Sequence, residues 1–254
     1  MSSVKQSVNL DLELRQLLLP KLGQEASDCE DVIAINTQAC RFAVADGATE
    51  AFAARKWAER LAQHWVQRQS TLTPEEFRNW VAAEGRELHD SWNGLSLSWY
   101  SEAKARTGSF AAFVGLELDL NNEAPSWKAI ALGDTCLLHR RGDVLVKSLP
   151  LTRSESFNNS PILVASNCAL HENSMKSVVI DSGSCESGDV LLLMSDAVAS
   201  WYLKGFENDD LEDHFFAQPD DELIAFFDRE RLTGRIRNDD LAIVRIEIKE
   251  RSRG

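Results

Sequence analysis

Three apolar runs in this sequence stop on an aspartate: Phe42-Ala43-Val44-Ala45 leads into Asp46, Ile130-Ala131-Leu132-Gly133 into Asp134, and Leu191-Leu192-Leu193-Met194-Ser195 into Asp196. Two more runs begin directly after a pair of acids, Glu30-Asp31 before Val32-Ile33-Ala34-Ile35 and Asp239-Asp240 before Leu241-Ala242-Ile243-Val244. In an antiparallel sheet the end of one strand lies beside the start of its neighbour, so all of these positions can converge on one edge. Carboxylates that close raise one another's pKa and need a cation to remain ionised. Oxygen donors with no histidine or cysteine beside them select hard ions, Mg²⁺ or Mn²⁺ ahead of Ca²⁺, over zinc. Two such ions sharing an aspartate can activate a water and neutralise phosphoryl oxygens, which is the chemistry of phosphate-ester hydrolysis. One aspartate at a strand end is more often a turn residue than a ligand. The expectation rests on the set.

No other catalytic pattern competes. The sequence has no GxxxxGK, HExxH, GxSxG or GxGxxG motif, and His64, His89, His139, His171 and His214 are dispersed, each read as a surface or helix residue. Forty acidic residues against 27 basic ones give a formal charge of −13, which repels phosphodiester backbones and anionic lipid, so neither nucleic acid nor a membrane is an expected partner. Hydrophobic residues make up 44% and charged residues 26%, ordinary values for a globular core. The opening stretch carries Asp11, Glu13 and Arg15 close to Leu17-Leu18-Leu19, a pattern that fits neither a signal peptide nor an anchor. Five dispersed cysteines without a CxxC pair fit the reducing cytoplasm better than a disulfide framework.

The elements that must position these acids read as mixed strands and helices. Strands are expected at Val32–Ile35, Arg41–Ala45, Phe110–Leu118, Trp127–Leu132, Leu137–His139, Ile162–Ala165, Val190–Met194 and Leu241–Ile248. The last alternates, with Ala242, Val244, Ile246 and Ile248 on one face and Leu241, Ile243, Arg245 and Glu247 on the other, which predicts one buried face. Helices are expected over Thr49–Gln67, where Ala53, Trp57, Leu61 and Trp65 recur every four residues, over Thr73–Trp92 with Thr73 as its cap, and over Asp220–Arg231. Their tryptophans are read as core anchors. Asn93–Thr107 and Pro150–Asn173 read as long loops, with Trp99 and Tyr100 taken as packing residues. No repeat and no Pro/Gly/Ser-rich linker divides the chain, so residues 1–254 are expected to form a single domain. The pattern implies an α+β fold of antiparallel sheets with helices outside.

Six segments in order resemble the metal-dependent protein phosphatases of type 2C: Glu30-Asp31, Val44-Ala45-Asp46-Gly47, Gly108-Ser109 before Phe110-Ala111-Ala112, Gly133-Asp134-Thr135, Ser195-Asp196-Ala197, and Asn238-Asp239-Asp240 before Leu241. The resemblance implies a four-layer α-β-β-α sandwich with a binuclear Mg²⁺ or Mn²⁺ centre in a cleft at one end. It implies that Asp46 bridges both ions, the Gly47 carbonyl ligates one of them, and Asp196 and Asp239 ligate the other. Glu30 and Asp31 then orient metal-bound water, and Asp134 helps to hold a third, weaker ion. The implied reaction is in-line attack of a metal-bridging hydroxide on phosphoserine or phosphothreonine in a protein, with a cognate Ser/Thr kinase as the opposing partner. The alternatives are a catalytically weak module that binds a phosphoprotein or regulator, and a small-molecule phosphatase.

The sequence departs from the family pattern in two places that bear on substrate. The family often has an arginine shortly before the first acid pair, where Gly23-Gln24-Glu25-Ala26-Ser27-Asp28-Cys29 holds no basic residue. Arg106 and Arg153 are candidates to replace it, each more readily a solvated surface residue. Some relatives carry a histidine after the Asp-Gly pair, where Ala48 stands.

Overall fold

The computed structural model describes residues 10–49, 51–68, 73–92, 99–158, 160–211 and 216–251. Two antiparallel sheets lie face to face. The first has the order β1 (Leu10–Leu19), β11 (Leu241–Glu250), β10 (Asp189–Met194), β6 (Cys136–Arg141) and β7 (Val144–Leu149). The second runs β2 (Asp31–Asn36), β3 (Arg41–Gly47), β4 (Phe110–Asp119), β5 (Ser126–Leu132) and β9 (Val179–Ser184), with the short β8 (Val164–Ala165) paired to the start of β4.

Alternation along the central strands divides their side chains between two cores. Phe42 and Val44 of β3 point between the sheets, where they meet Val114, Leu116, Leu191, Leu193, Val244 and Ile246. Ala43 and Ala45 point the other way, under α1 (Ala54–Gln67) and α2 (Pro74–Asp90), whose Trp57, Leu61, Phe77 and Val81 cover that face. On the opposite side α5 (Asp196–Glu207) and α6 (Asp220–Leu232) lay Val198, Tyr202, Leu223 and Phe227 on Leu138, Leu192 and Ile243. The layers are therefore α-β-β-α, as expected. The expected cap of α2 is also present: the Thr73 hydroxyl accepts the Glu76 N–H at 3.2 Å, and the Glu76 carboxylate accepts the Thr73 N–H at 2.8 Å.

Several expectations are corrected. β11 buries both faces along its first half, because as a central strand it is covered by the other sheet on one side and by α5 and α6 on the other. β1, β7 and β9 were not expected. All three lie toward the margins of their sheets, where half-exposed strands carry mixed sequences without a long apolar run. The loop reading of Asn93–Thr107 gives way in its second half to α3 (Trp99–Thr107), and residues 93–98 lie outside the described residues. Trp99 is 81% exposed and is not buried in a core. The Tyr100 side chain lies outside the described residues, as does His214. His139 is a buried strand residue, and His171, in the short α4 (His171–Ser174), is buried as well.

Candidate metal centre

The acids gather where the strand ends of both sheets meet, not along one sheet edge. Asp46 is the penultimate residue of β3 and pairs in register with Asp31, the first residue of β2. Asp134 lies in the turn that carries the chain from β5 in one sheet to β6 in the other. Asp196 opens α5, one residue beyond the end of β10, and Asp239-Asp240 immediately precede β11. Met194 at the end of β10 stands opposite both Cys136 at the start of β6 and Ile243 near the start of β11, which brings their flanking acids to the same end of the sandwich.

Two glycines let the backbones close up here. A Cβ on Gly47 would stand 2.9 Å from the backbone carbon of Ala54, so only glycine allows the start of α1 to sit on the end of β3. Gly133 has φ +106° and would push a Cβ to 2.6 Å from that of Ala112. Its positive φ sets the turn that delivers Asp134.

Asp46, Asp134 and Asp196 each present a carboxylate oxygen within 4.8 Å of the others. Asp31 is buried beside them, with Oδ2 unpartnered among the described residues. Its carboxylate receives the Ser195 hydroxyl, whose oxygen accepts the Ala242 N–H at 2.9 Å, a relay that ties the two sheets together. Asp240 works differently: its two oxygens accept the backbone N–H of Lys21 at 2.8 Å and of Glu30 at 2.9 Å, so it fixes the segment that carries Glu30-Asp31. The Gly47 N–H reaches the Glu30 carbonyl at 3.2 Å. Glu30 itself is partly exposed at the rim.

These surroundings disfavour ionisation. Burial first, and the negative charges of Asp31, Asp196, Asp134 and Asp239 next, push Asp46 well above the ordinary carboxylate range. Burial also raises Asp31; the Ser195 hydrogen bond opposes the rise, and Asp240, Asp196 and Asp239 add to it. Burial and the neighbouring Asp196 push Asp134 up to about 7. Burial raises Asp196 even though Arg237 works against it.

Two cations that the sequence reading missed face the cluster. Lys21 Nζ lies 3.1 Å from Asp239 Oδ1. Arg237 Nη2 touches Asp196 Oδ2 and also lies 2.8 Å from Asp239 Oδ2. One nitrogen shared by two carboxylates shows that Asp196 and Asp239 face a common point. The position of Arg237, two residues before Asp239, was the available signal. Arg106 and Arg153 are exposed on α3 and on the loop after β7, and neither forms an ion pair with the cluster among the described residues. Two cations beside six aspartates leave a strong negative excess. With an orphaned buried Asp31 oxygen and a donor set made of oxygen alone, the residues present fit hard divalent cations.

Two cavities adjoin the cluster and share Asn158 in their walls. One of about 220 Å³ adjoins Asp196 and Arg237, and one of about 400 Å³ adjoins Asp134, where Leu132, Pro150, Leu151, Pro161 and Ile162 form much of its wall.

Solved structures share this architecture. The Mycobacterium tuberculosis serine/threonine phosphatase PstP/Ppp superposes with a TM-score of 0.62 at 13% identity, covering 94% of this chain and 99% of that one. This is the type 2C phosphatase fold. A PstP catalytic domain solved in complex with two manganese ions matches with a TM-score of 0.61 at 14% identity over 95% of this chain and 100% of that chain. PppA, described as a key regulatory component of T6SS in Pseudomonas aeruginosa, gives 0.57 at 16% over 93% and 97%. No family model matches the sequence, and no curated protein matches it. At these identities the likeness to type 2C phosphatases is one of fold. No helix among the described residues is long and apolar enough to cross a membrane.

Proposed function

We propose that this chain is a metal-dependent phosphatase acting on phosphoserine and phosphothreonine in proteins. The observation that carries the reading is the meeting of Asp46, Asp134 and Asp196 within 4.8 Å at the shared end of two sheets, with too little positive charge nearby to balance them. Asp46, the Gly47 carbonyl, Asp196 and Asp239 would hold a pair of Mg²⁺ or Mn²⁺ ions, and Asp134 would contribute to a weaker third position. Bound there, such ions would supply an activated water and would neutralise the phosphoryl oxygens.

The chain's own residues supply the frame. Asp31, opposite Asp46 at the start of β2, and Glu30 just before it would accept hydrogen bonds from water bound there. Asp240 holds that segment in place through two backbone N–H groups. Ser195 keeps Asp31 oriented by donating to it. Ala48 offers no proton, so the leaving group would take its proton from water. A phosphorylated protein and, with it, a Ser/Thr kinase of opposite action are the partners this reading calls for, in a cytoplasmic setting.

The test is hydrolysis of p-nitrophenyl phosphate and of a phosphothreonine peptide with Mn²⁺, against chelator and against Asp239→Asn. Turnover lost on chelation and in the variant supports the proposal. Activity indifferent to both would overturn it, and Mn²⁺ binding without hydrolysis of either substrate would make the chain a binding module.

A further inference from the structure

The cavity of about 220 Å³ beside Asp196 is lined by Arg237, Arg235 and Lys204, with Ser200, Asn158 and Phe157 completing much of the wall. Three cationic side chains converging on one small cavity is unexpected in a chain of formal charge −13. Lys204 and Ser200 lie four residues apart on α5 and so share a helix face. Arg235 is held by Glu230 at the end of α6, which steadies it at the rim. The neighbouring cavity, beside Asp134, has no basic residue in its wall. Of the two cavities that adjoin the acidic cluster, only the one beside Asp196 has cationic side chains in its wall.

Arg237 stands between the two. Its Nη2 engages Asp196 and Asp239 together, yet its side chain is half exposed and its body lines the cavity. A guanidinium carries five donors in a rigid fork suited to a tetrahedral oxyanion, and the two carboxylates engage one nitrogen of it. A divalent cation bound by Asp196 and Asp239 would compete for the point that this nitrogen occupies. Resting on the reading of a phosphatase given above, we propose that Arg237, backed by Arg235 and Lys204, anchors the phosphoryl group of the substrate, and that it is released for this role when Asp196 and Asp239 take a cation. The arginine missing ahead of Glu30 is then replaced by one from the segment before β11, which lies beside residues 21 and 22.

The experiment is calorimetric titration of the full chain with Mn²⁺ alone, and with inorganic phosphate at saturating Mn²⁺, for the unaltered protein, Arg237→Ala, Arg237→Lys and Lys204→Ala. Arg237→Ala should weaken phosphate binding about 10-fold or more, Arg237→Lys by less because a point charge replaces the fork, and Lys204→Ala about 3-fold. Mn²⁺ should bind Arg237→Ala as tightly as the unaltered chain or more tightly, since a competitor has gone. Unchanged phosphate affinity in Arg237→Ala overturns the proposal, as does an unaltered chain that binds no phosphate. Loss of Mn²⁺ and phosphate affinity in equal measure also overturns it, because Arg237 would then merely support the carboxylates. None of these readouts needs turnover. A chain that hydrolyses nothing but shows the expected pattern loses the proposed function and keeps the anion site, whereas phosphopeptide turnover with an unchanged KM in Arg237→Ala does the reverse.

Discussion

Asp31 and Asp46 are cross-strand partners, the first residue of β2 standing directly opposite the penultimate residue of β3. Directly opposed residues in an antiparallel pair hold their Cβ atoms roughly 4.5 to 5.5 Å apart, and like charges at that range destabilise the pair by up to about 1 kcal/mol. Without a cation the two carboxyls cannot both ionise cheaply in so buried a place. Asp46→Asn should therefore raise the melting temperature in chelator by about 2 to 4 °C, the shift that about 1 kcal/mol produces in a chain of this size. The same variant should lose stabilisation by Mn²⁺ and at least roughly 100-fold in hydrolysis. Thermal melts with and without metal check both halves. A lower melting temperature in chelator would show that Asp46 stabilises the bare fold.

The raised carboxyls also give metal stabilisation a pH dependence of known sign. Asp134 is pushed up to about 7 by burial and Asp196, whereas its unfolded counterpart ionises near the ordinary 3.8. A carboxyl raised on folding costs nothing below its unfolded pKa, and its penalty builds as pH rises toward the folded value. The metal-free fold thus loses this contribution between about pH 4 and pH 7, where a bound cation reverses the loss. The melting-temperature increment on adding Mn²⁺ should grow across that window; at 100 times Kd it corresponds to about 2.7 kcal/mol. Taking the increment at each pH cancels the titration of distant groups. An increment flat in pH would place the cation away from these acids.

Much of this site was legible because its residues sit at breaks in apolar runs. Asp46, Asp134 and Asp196 each end a run of buried side chains, and strand ends in a two-sheet sandwich are forced to its rim. What the sequence did not reveal was charge compensation. Lys21 and Arg237 lie outside the runs, and their pairing with Asp239 depends on how the segments before β2 and β11 fold back beside each other. α5 was missed for a related reason: only Ser195 separates the end of β10 from its first residue, Asp196, so the break looked like a loop. β1 was legible in its inward leucines, Leu10, Leu12 and Leu14, which alternate with Asp11, Glu13 and Arg15, the period of a half-buried strand, but the reading of that stretch stopped at the Leu17-Leu18-Leu19 run. Its place in the sheet comes from pairing with β11 over its whole length.

Gly47 offers a test of the backbone geometry apart from charge. A methyl group there would meet the Ala54 backbone carbon at 2.9 Å and its oxygen at 3.0 Å, so the start of α1 must move away from β3. Overpacking of this kind costs typically about 1 to 3 kcal/mol. Gly47→Ala should lower the melting temperature by several degrees and weaken Mn²⁺ binding while leaving every carboxylate in place. Circular dichroism melts together with calorimetry measure the two effects. A variant with unchanged Mn²⁺ affinity would show that the position of the Gly47 backbone does not matter to the metal.

The far end of β10 carries a second buried acid whose logic is opposite. Asp189 is wholly buried, yet Arg141 reaches it through Nε at 2.7 Å and Nη2 at 2.9 Å, and the Glu186 N–H donates to it at 2.8 Å. His139 Nε2 lies 3.0 Å from the same carboxylate. The Trp127 indole can only donate, and it meets His139 Nδ1 at 3.2 Å, so the histidine carries its proton on Nε2, toward Asp189. Burial alone would raise the Asp189 carboxyl, but Arg141, the Glu186 N–H and His139 together hold it below its ordinary value. A carboxyl lowered on folding stabilises fully above its unfolded value of 3.8, and that stabilisation is lost as pH falls through the folded value. Asp189→Ala leaves buried donors without their acceptor and should cost about 3 kcal/mol, the low end for a broken buried pair because Arg141 is partly exposed. Asp189→Asn keeps the shape and loses the charge, so its deficit relative to the unaltered chain should shrink as pH drops below about 4. Six residues of extended chain place Asp189 roughly 20 Å from the acidic cluster. Mn²⁺ affinity should therefore be the same in Asp189→Asn as in the unaltered chain, and a matching fall in affinity would mean that β10 transmits strain along its length to Asp196.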